Sequence, residues 1–160
     1  MVLSPGEIRK MHVEHITPIL NVTSVPESMA WFERLGWIRS FAWNQVGMIP
    51  DAADRDEDGE ADYGGVTSGN VEIFLCQGAQ GSVGYSSIPQ KPYRADDTGG
   101  VWMTWWLANA VEVEAFYSVA TKAGADIVMP LTVQPWNATE FRIRHPDGHT
   151  FRVSAFLEDE

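Results

Sequence analysis

The sequence has 160 residues, a formal net charge of −11 at pH 7, 44% hydrophobic residues and 21% charged residues. This composition excludes a disordered chain and fits one globular domain, or two small half-units that share one interior. The negative charge argues against nucleic acid, whose phosphates would be repelled, and it permits a cationic ligand.

Neither an export signal nor a membrane span is predicted. Residues 1–10 contain Pro5 and Gly6 and have no continuous apolar run. The longest apolar stretch, residues 101–108, is far shorter than a membrane-spanning helix requires. The one cysteine, Cys76, excludes an internal disulfide framework and suits a reducing compartment. We therefore expect a cytoplasmic protein that does not contact a membrane.

The first half of the chain predicts a strand, a helix and three further strands. Ser24 and Glu27 form a capping box that begins the helix, and Gly36 supplies the left-handed residue that ends it. Apolar residues alternate in the segments that follow, which is typical of strands. The predicted strands are 16–22, 37–43, 63–67 and 71–76.

The second half repeats this order. Asn109 or its neighbour caps a helix over about residues 111–123, and Gly124 ends it. Residues 146–148, Pro-Asp-Gly, predict a tight turn between two alternating strands. The repeated unit indicates two sheets that face a shared cavity. The predicted strands are 101–107, 127–129, 140–144 and 150–155, with a loop over 130–137 that holds Trp136.

Four segments carry a family resemblance: T-P-I-L-N-V at 17–22, A-W-F-E-R-L-G-W at 30–37, G-N-V-E-I-F-L at 69–75 and E-F-R-I-R-H-P-D-G-H-T-F-R-V at 140–153. Together they resemble the vicinal oxygen chelate superfamily of glyoxalases, bleomycin-resistance proteins and dioxygenases, and the bleomycin-resistance branch most. The resemblance implies an α+β fold of two tandem βαβββ modules, usually in homodimers. Each module is a curved mixed sheet with helices on its outer face.

The repeat and the resemblance together divide the chain into four parts. The segment between the halves is rich in Gly, Ser and Pro, which is typical of a linker. Whether this linker closes over the site as a lid stays open. The predicted parts are a leader (1–15), a first module (16–76), the linker (77–100) and a second module (101–157).

The resemblance also places the four metal-ligand positions of the superfamily's enzymes, and they fall on Thr17, Glu72, Trp102 and Arg152. The usual residues there are His, Glu, His and Glu. Only Glu72 can ligate a metal, because Trp102 offers no lone pair and Arg152 cannot lose its proton. We therefore predict no catalytic residues and no cofactor, which favours a binding protein over an enzyme without deciding between them. A divalent metal at a displaced site stays open as the alternative.

Alternation along the strands predicts which side chains share the ligand-facing surface. Glu140 and Arg142 should face the same side as Arg152. The purely structural alternatives are that the tryptophans are core residues and that Arg152 only forms an ion pair with Glu72 or Glu140. The predicted ligand-binding residues are Trp102, Thr104, Trp106, Phe74, Glu72, Arg152, Thr17, Trp136 and Trp43.

These observations predict a metal-free, homodimeric binding protein that sequesters a small aromatic or cationic ligand in an aromatic trough. A glycopeptide antibiotic is one candidate. Two alternatives stay open. One is a glyoxalase-like or dioxygenase-like lyase or oxidoreductase with a displaced metal. The other is a structural or partner-binding module whose cavity is closed by its own side chains.

An acidic segment resembles the start of a calcium loop, with Asp54, Asp56 and Asp58 at alternate positions before Gly59. The closing bidentate Glu of such a loop is missing, because that position is Gly65. A solvated acidic loop is therefore the favoured interpretation over a calcium site.

Overall fold

A computed structural model describes residues 13–82 and 99–158 of the chain. Most of the predicted leader and linker, residues 1–12 and 83–98, lies outside the described residues. The described elements are β1 (Ile19–Val22), α1 (Val25–Arg34), β2 (Ile38–Trp43), a 3-10 turn (Pro50–Ala52), β3 (Arg55–Asp56), β4 (Gly59–Glu60), β5 (Tyr63–Ser68), β6 (Val71–Gln77), β7 (Trp102–Trp106), α2 (Ala110–Lys122), β8 (Asp126–Gln134), β9 (Ala138–Arg144) and β10 (Thr150–Phe156).

The strands form two four-stranded sheets with the same internal order. The first sheet is β1-β6-β5-β2 and the second is β7-β10-β9-β8. β1 pairs in parallel with β6, and β7 pairs in parallel with β10; the other neighbouring strands are antiparallel. A small β3–β4 hairpin is inserted in the first half. The predicted α+β fold of two tandem βαβββ modules is confirmed. Neither helix in the described ranges is long and apolar enough to cross a membrane.

Helix α1 begins and ends where its capping residues predict. The Ser24 hydroxyl accepts a hydrogen bond from the backbone N–H of Glu27 at 3.2 Å, and Gly36 has a φ of 88°. Met29 on its inner face is fully buried. The helix approaches β5 so closely that a Cβ on Gly64 would collide with the Met29 methyl group and lie 2.9 Å from the Phe41 carbonyl oxygen.

Helix α2 packs on the second sheet in the corresponding place. The Asn109 side chain caps it by accepting from the Glu112 N–H at 3.0 Å. The rings of Phe116 and Tyr117 lie 5.9 and 5.2 Å from the ring of Phe141 on β9. Phe141 is fully buried, so this side of β9 packs on helix α2.

Strand β8 differs from its prediction. A short strand over 127–129 and a loop over 130–137 were expected, but the strand extends from Asp126 to Gln134. Pro130 lies within it, where proline is tolerated because β8 is an edge strand. The pairing with β9 shifts register on both sides of Met129, so Pro130 sits in an irregular stretch.

The two modules pack through α1 rather than through their ligand-facing surfaces. The rings of Trp31 and Phe32 lie 5.8 and 6.0 Å from the ring of Phe151 on β10. Adjacent strand residues face opposite sides, so Arg152 points away from this contact. The two sheets therefore do not face each other directly, although residues of both modules line one cavity beside β7. In one chain the sheets share a helix-filled core, and their ligand-facing surfaces point outward.

Polar contacts near the 145–149 turn tie the modules together. The Asp147 carboxylate accepts from the backbone N–H and the hydroxyl of Thr23, at 3.0 and 2.9 Å. His149 Nε2 lies 2.7 Å from the carbonyl oxygen of Asn21, and its Nδ1 accepts from the Val101 N–H at 3.0 Å. An Nδ1 that accepts leaves the proton on Nε2, so these two contacts together define the neutral tautomer.

Candidate functional site

A buried carboxylate lies at the centre of the outward face of the second sheet. Glu140 is fully buried. One of its oxygens accepts from Arg152 at 2.6 Å and from Ser154 at 3.2 Å. The other accepts from Arg142 at 3.2 Å and from Gln134 at 3.1 Å. Both oxygens of the carboxylate are therefore occupied by two donors each.

Neighbouring arginines stabilise the charged form of this carboxylate. Burial alone would raise the pKa of Glu140, but the hydrogen bonds and positive charges of Arg152 and Arg142 outweigh burial and lower the pKa below its usual value. The two arginines lie directly opposite each other on β10 and β9. Such a like-charged pair is unfavourable, so Glu140 compensates for it and holds both guanidinium groups in place.

Each arginine also lies against a tryptophan ring. The Arg142 guanidinium lies 5.8 Å from the centre of the Trp102 ring, and the Arg152 guanidinium lies 5.8 Å from the centre of the Trp136 ring. At this distance the ring face attracts the cation. The indoles therefore form part of one structure with the ion pairs and are not isolated surface residues.

Four aromatic rings remain partly exposed on this face or at its edge. Trp106 and Phe156 stack on each other, with ring centres 4.8 Å apart and planes 20° apart. The exposed fractions are 39% for Trp102, 51% for Trp136, 56% for Trp106 and 62% for Phe156. Large exposed aromatic side chains in one region are typical of an interaction site. We call this group of Trp102, Trp106, Trp136 and Phe156 the aromatic rim.

A cavity of about 700 Å³ lies beside β7, between the two modules. This volume is in the range of small-molecule sites. It brings Glu72 of the first module to the same cavity as Thr104 and Trp106 of the second. Trp37 and Phe116 also contribute to its mainly apolar wall. The cavity therefore extends from one end of the aromatic rim into the space between the modules.

The outward face of the first sheet carries the remaining predicted residues. Glu72 accepts from the Ser40 hydroxyl at 2.7 Å. The Phe74 ring packs against Phe41 and Tyr63, with ring centres 5.3 and 6.0 Å away. Thr17 is half-buried just before β1, and Trp43 is 42% exposed at the end of β2. An ion pair between Glu72 and Arg152 does not form, because Arg152 pairs with Glu140 in its own sheet.

The single thiol is not an activated nucleophile. Cys76 is buried on β6. Burial raises the pKa of Cys76, and the nearby negative charge of Asp62 raises it further. The thiol is therefore protonated at neutral pH and serves packing rather than reaction.

The four positions that hold a metal in enzymes of the resembled superfamily do not fit one here. Glu72 is a lone carboxylate bonded to a hydroxyl, and Arg152 is a cation bonded to Glu140. Within residues 13–82 and 99–158, no three His, Cys, Asp or Glu side chains gather closely enough to hold an ion. A divalent metal needs several converging oxygen, nitrogen or sulfur donors.

The acidic segment is held by protein groups. Asp54 pairs with Arg39 at 2.5 Å. An oxygen of Asp56 accepts from the Asn44 amide at 2.7 Å and from the Asp58 N–H at 2.9 Å. These contacts fix the β3–β4 hairpin and turn the carboxylates of Asp54 and Asp56 toward neighbours within the chain.

The sequence reasoning placed Glu140 and Arg142 on the ligand-facing side but did not find the central position of Glu140, and it named neither residue as ligand-binding. It did not consider Gln134 or Phe156 for the site. The register of β9 and β10 carries the missing signal, because it sets Arg142 opposite Arg152 and Glu140 opposite Ser154. Two arginines that face each other across neighbouring strands repel, so a carboxylate is expected close to them.

Comparison with known proteins gives a consistent result. The family described as Glyoxalase/Bleomycin resistance protein/Dioxygenase superfamily matches residues 12–153. TioX from Micromonospora sp. ML1 is 18% identical with a TM-score of 0.63, over 91% of this chain and 100% of that one. A glyoxalase/bleomycin resistance protein/dioxygenase from Nocardioides is 16% identical with a TM-score of 0.62, over 97% and 91%.

A bleomycin resistance determinant encoded on the transposon Tn5 is 16% identical with a TM-score of 0.57, over 90% of this chain and 98% of that one. At such identities the likeness concerns the fold alone. No curated protein sequence matches the chain.

Proposed function

The chain belongs to the glyoxalase/bleomycin resistance protein/dioxygenase superfamily, and we propose that within it this protein is a small-molecule binder that acts without a catalytic metal. It holds a flat aromatic ligand against the aromatic rim and sequesters it in the cytoplasm. The observation that carries the proposal is the rim itself, a set of partly exposed rings beside a buried carboxylate that fixes two arginines.

Stacking is the interaction that the rim offers. Offset and edge-to-face pairs of aromatic rings contribute roughly 0.5–1.5 kcal/mol each beyond the burial of apolar area. Trp106 already stacks on Phe156, and a ligand ring can extend that stack. The adjoining cavity, with its apolar wall, accommodates further apolar parts of the ligand.

We propose that the working unit is a homodimer. Within one chain the ligand-facing surfaces of the two sheets adjoin the same cavity beside β7 but do not cover each other, so each is only half of a trough. A two-fold arrangement would set the first-sheet surface of one protomer, with Glu72 and Phe74, over the aromatic rim of its partner. This arrangement accounts for predicted ligand-binding residues in both modules.

The identity of the ligand follows less directly. Proteins of this fold include a bleomycin resistance determinant, so a glycopeptide antibiotic is one candidate for this chain. The chemistry of the rim requires only a flat ring system with room for a polar substituent near Arg152.

The test is a titration of aromatic compounds and antibiotics by isothermal calorimetry on the full chain. Trp106→Ala should weaken binding of any compound that the unmodified protein binds by about tenfold or more, because it removes the stack with Phe156. Trp106→Phe keeps a ring and should retain most of the affinity. The control is Val111→Ala, an exposed side chain on α2 outside the rim, which should change nothing.

Three results would contradict the proposal. Unchanged affinity in Trp106→Ala would show that the rim is not part of the site. Full affinity in a protein that light scattering shows to be monomeric at the concentrations of the titration would show that the dimer is not needed. A stoichiometric transition metal in protein purified without chelators would favour the alternative of a metal enzyme.

A further inference from the structure

The outward face of the second sheet has a local charge opposite to that of the whole chain. Its described residues include three arginines, Arg142, Arg144 and Arg152, against the carboxylates of Glu140 and Asp126. Three positive and two negative charges leave an excess of one positive charge. The chain as a whole carries −11. A local field of the opposite sign favours a ligand that the overall charge would disfavour.

The carboxylate at the centre of this face has no capacity for a cationic ligand. Each oxygen of Glu140 already accepts two hydrogen bonds, and its side chain is fully buried. A ligand ammonium group would therefore have to displace an arginine to reach it. Glu72 belongs to the first sheet, where it accepts from the Ser40 hydroxyl. In the proposed dimer it would approach the rim from the other protomer, so the excess of one positive charge is that of this face in a single chain.

Arg152 has donors to spare. A guanidinium group carries five N–H donors, and among the described residues Arg152 uses one nitrogen, on Glu140. Its Nε is enclosed, so an incoming group would meet the terminal nitrogens of the guanidinium. About a third of the side chain, 32%, stays exposed. A planar guanidinium that is already oriented by a buried carboxylate is well suited to a second, incoming carboxylate.

We infer that the ligand is an aryl carboxylate, whose ring lies on the aromatic rim while its carboxylate binds Arg152. This inference rests on the proposed function and names its ligand class. The Trp136 ring, 5.8 Å from the guanidinium, places an aromatic surface beside the anion-binding group. A ring and an anion in one flat molecule therefore meet both features at once. The anion, rather than the ring, sets the specificity.

The experiment compares three matched probes that share one ring system and differ in charge. They are 2-naphthoate, 2-naphthamide and 2-(aminomethyl)naphthalene, each titrated calorimetrically, with the benzene and anthracene analogues as scaffolds of other sizes. The carboxylate should bind at least about tenfold more tightly than the amide, as a charge-assisted bidentate pair requires. The amine should bind most weakly. Added salt should reduce the difference in affinity between the carboxylate and the amide, because it screens the charge interaction.

Variants of the arginine separate its role from a general effect on folding. Arg152→Gln should abolish the preference for 2-naphthoate while keeping the affinity for 2-naphthamide within about twofold, and the retained amide binding shows that the site is intact. Arg152→Lys should keep part of the preference, since it retains charge without the planar fork. The control is Arg34→Gln, an exposed residue at the end of α1, which should leave all three affinities unchanged.

The outcomes distinguish this inference from the proposed function. Equal affinities for the three probes, or tightest binding of the amine, would overturn the inference and leave the aromatic binder standing. Failure of every scaffold to bind in any charge form would overturn both. A carboxylate preference that survives in Arg152→Gln would assign the anion to another residue and so overturn the role given to Arg152.

Discussion

Glu140 and Arg152 form a 2.6 Å ion pair in which the carboxylate is fully buried while part of the arginine remains exposed. The asymmetry matters, because a buried carboxylate with four donors fixes the position of a guanidinium that still reaches solvent. The pair therefore orients a cation on the surface more than it stabilises the fold.

Glu140→Gln should destabilise the protein by about 3 kcal/mol, because it leaves Arg142 and Arg152 facing each other without the compensating charge. Urea unfolding followed by circular dichroism measures this. The matched control is Glu72→Gln on the first sheet, where the carboxylate accepts from one hydroxyl, and a cost of about 1 kcal/mol or less is expected. Equal costs for the two variants would contradict the central role of Glu140.

Stability should fall as the pH drops from about 6.5 toward 4. Burial lowers the pKa of His145 to about 4 and also lowers the pKa of His149. The unfolded chain therefore binds more protons than the folded one in this window, which favours unfolding. The stabilising charge of Glu140, whose folded pKa is also lowered, is lost only at still lower pH.

The measurement is the urea midpoint at several pH values between 7.5 and 4.5. His145→Gln should flatten the dependence on pH, whatever its effect on stability at neutral pH, because it removes one of the two titrating rings. A midpoint that does not change across this window would show that the buried histidines accept protons freely in the folded protein.

Gly100→Ala should be strongly destabilising, by about 2 kcal/mol or more. A Cβ at this position would lie 2.5 Å from the backbone carbonyl oxygen of Gly148, and the backbone next to His149 cannot move without disturbing the module contact. Gly47→Ala is the control, since a Cβ there meets nothing within 4 Å and should leave stability unchanged or slightly raised. Thermal unfolding compares them, and equal midpoints would contradict the close approach.

Cys76 should react slowly with iodoacetamide in the folded protein. Burial raises its pKa, and Asp62 raises it further, so little thiolate is present and access is restricted. At pH 8 we expect alkylation at least about tenfold slower than in urea, followed by mass spectrometry. Asp62→Asn should accelerate native labelling modestly. Labelling as fast in the folded as in the unfolded chain would contradict a packed, protonated thiol.

Local signals were sufficient to predict the two helices of the described residues and the repeated order of strands. Ser24 and Asn109 cap the helices as expected, because capping depends on a few neighbouring residues. The end of β8 could not be predicted, since Pro130 reads as a strand breaker unless the strand is known to lie at an edge.

The site was only partly predictable for a related reason. Alternation identified Trp102, Trp106 and Arg152 as neighbours on one face, which the register confirms for that face of β7 and β10. Alternation does not reveal which face a neighbouring module covers. Ring contacts between distant residues such as Phe32 and Phe151 decide this, and they are set by the packing of the whole chain.

The contacts of Asp147 with Thr23 and of His149 with Asn21 have a consequence for dosage. They hold the halves of one polypeptide so that neither half-site can fold over the other. In the proposed dimer, the amount of bound ligand then scales with the square of the chain concentration while most chains are monomeric. At low expression most of the compound would stay free, whereas a modest rise in expression would bind a much larger share of it.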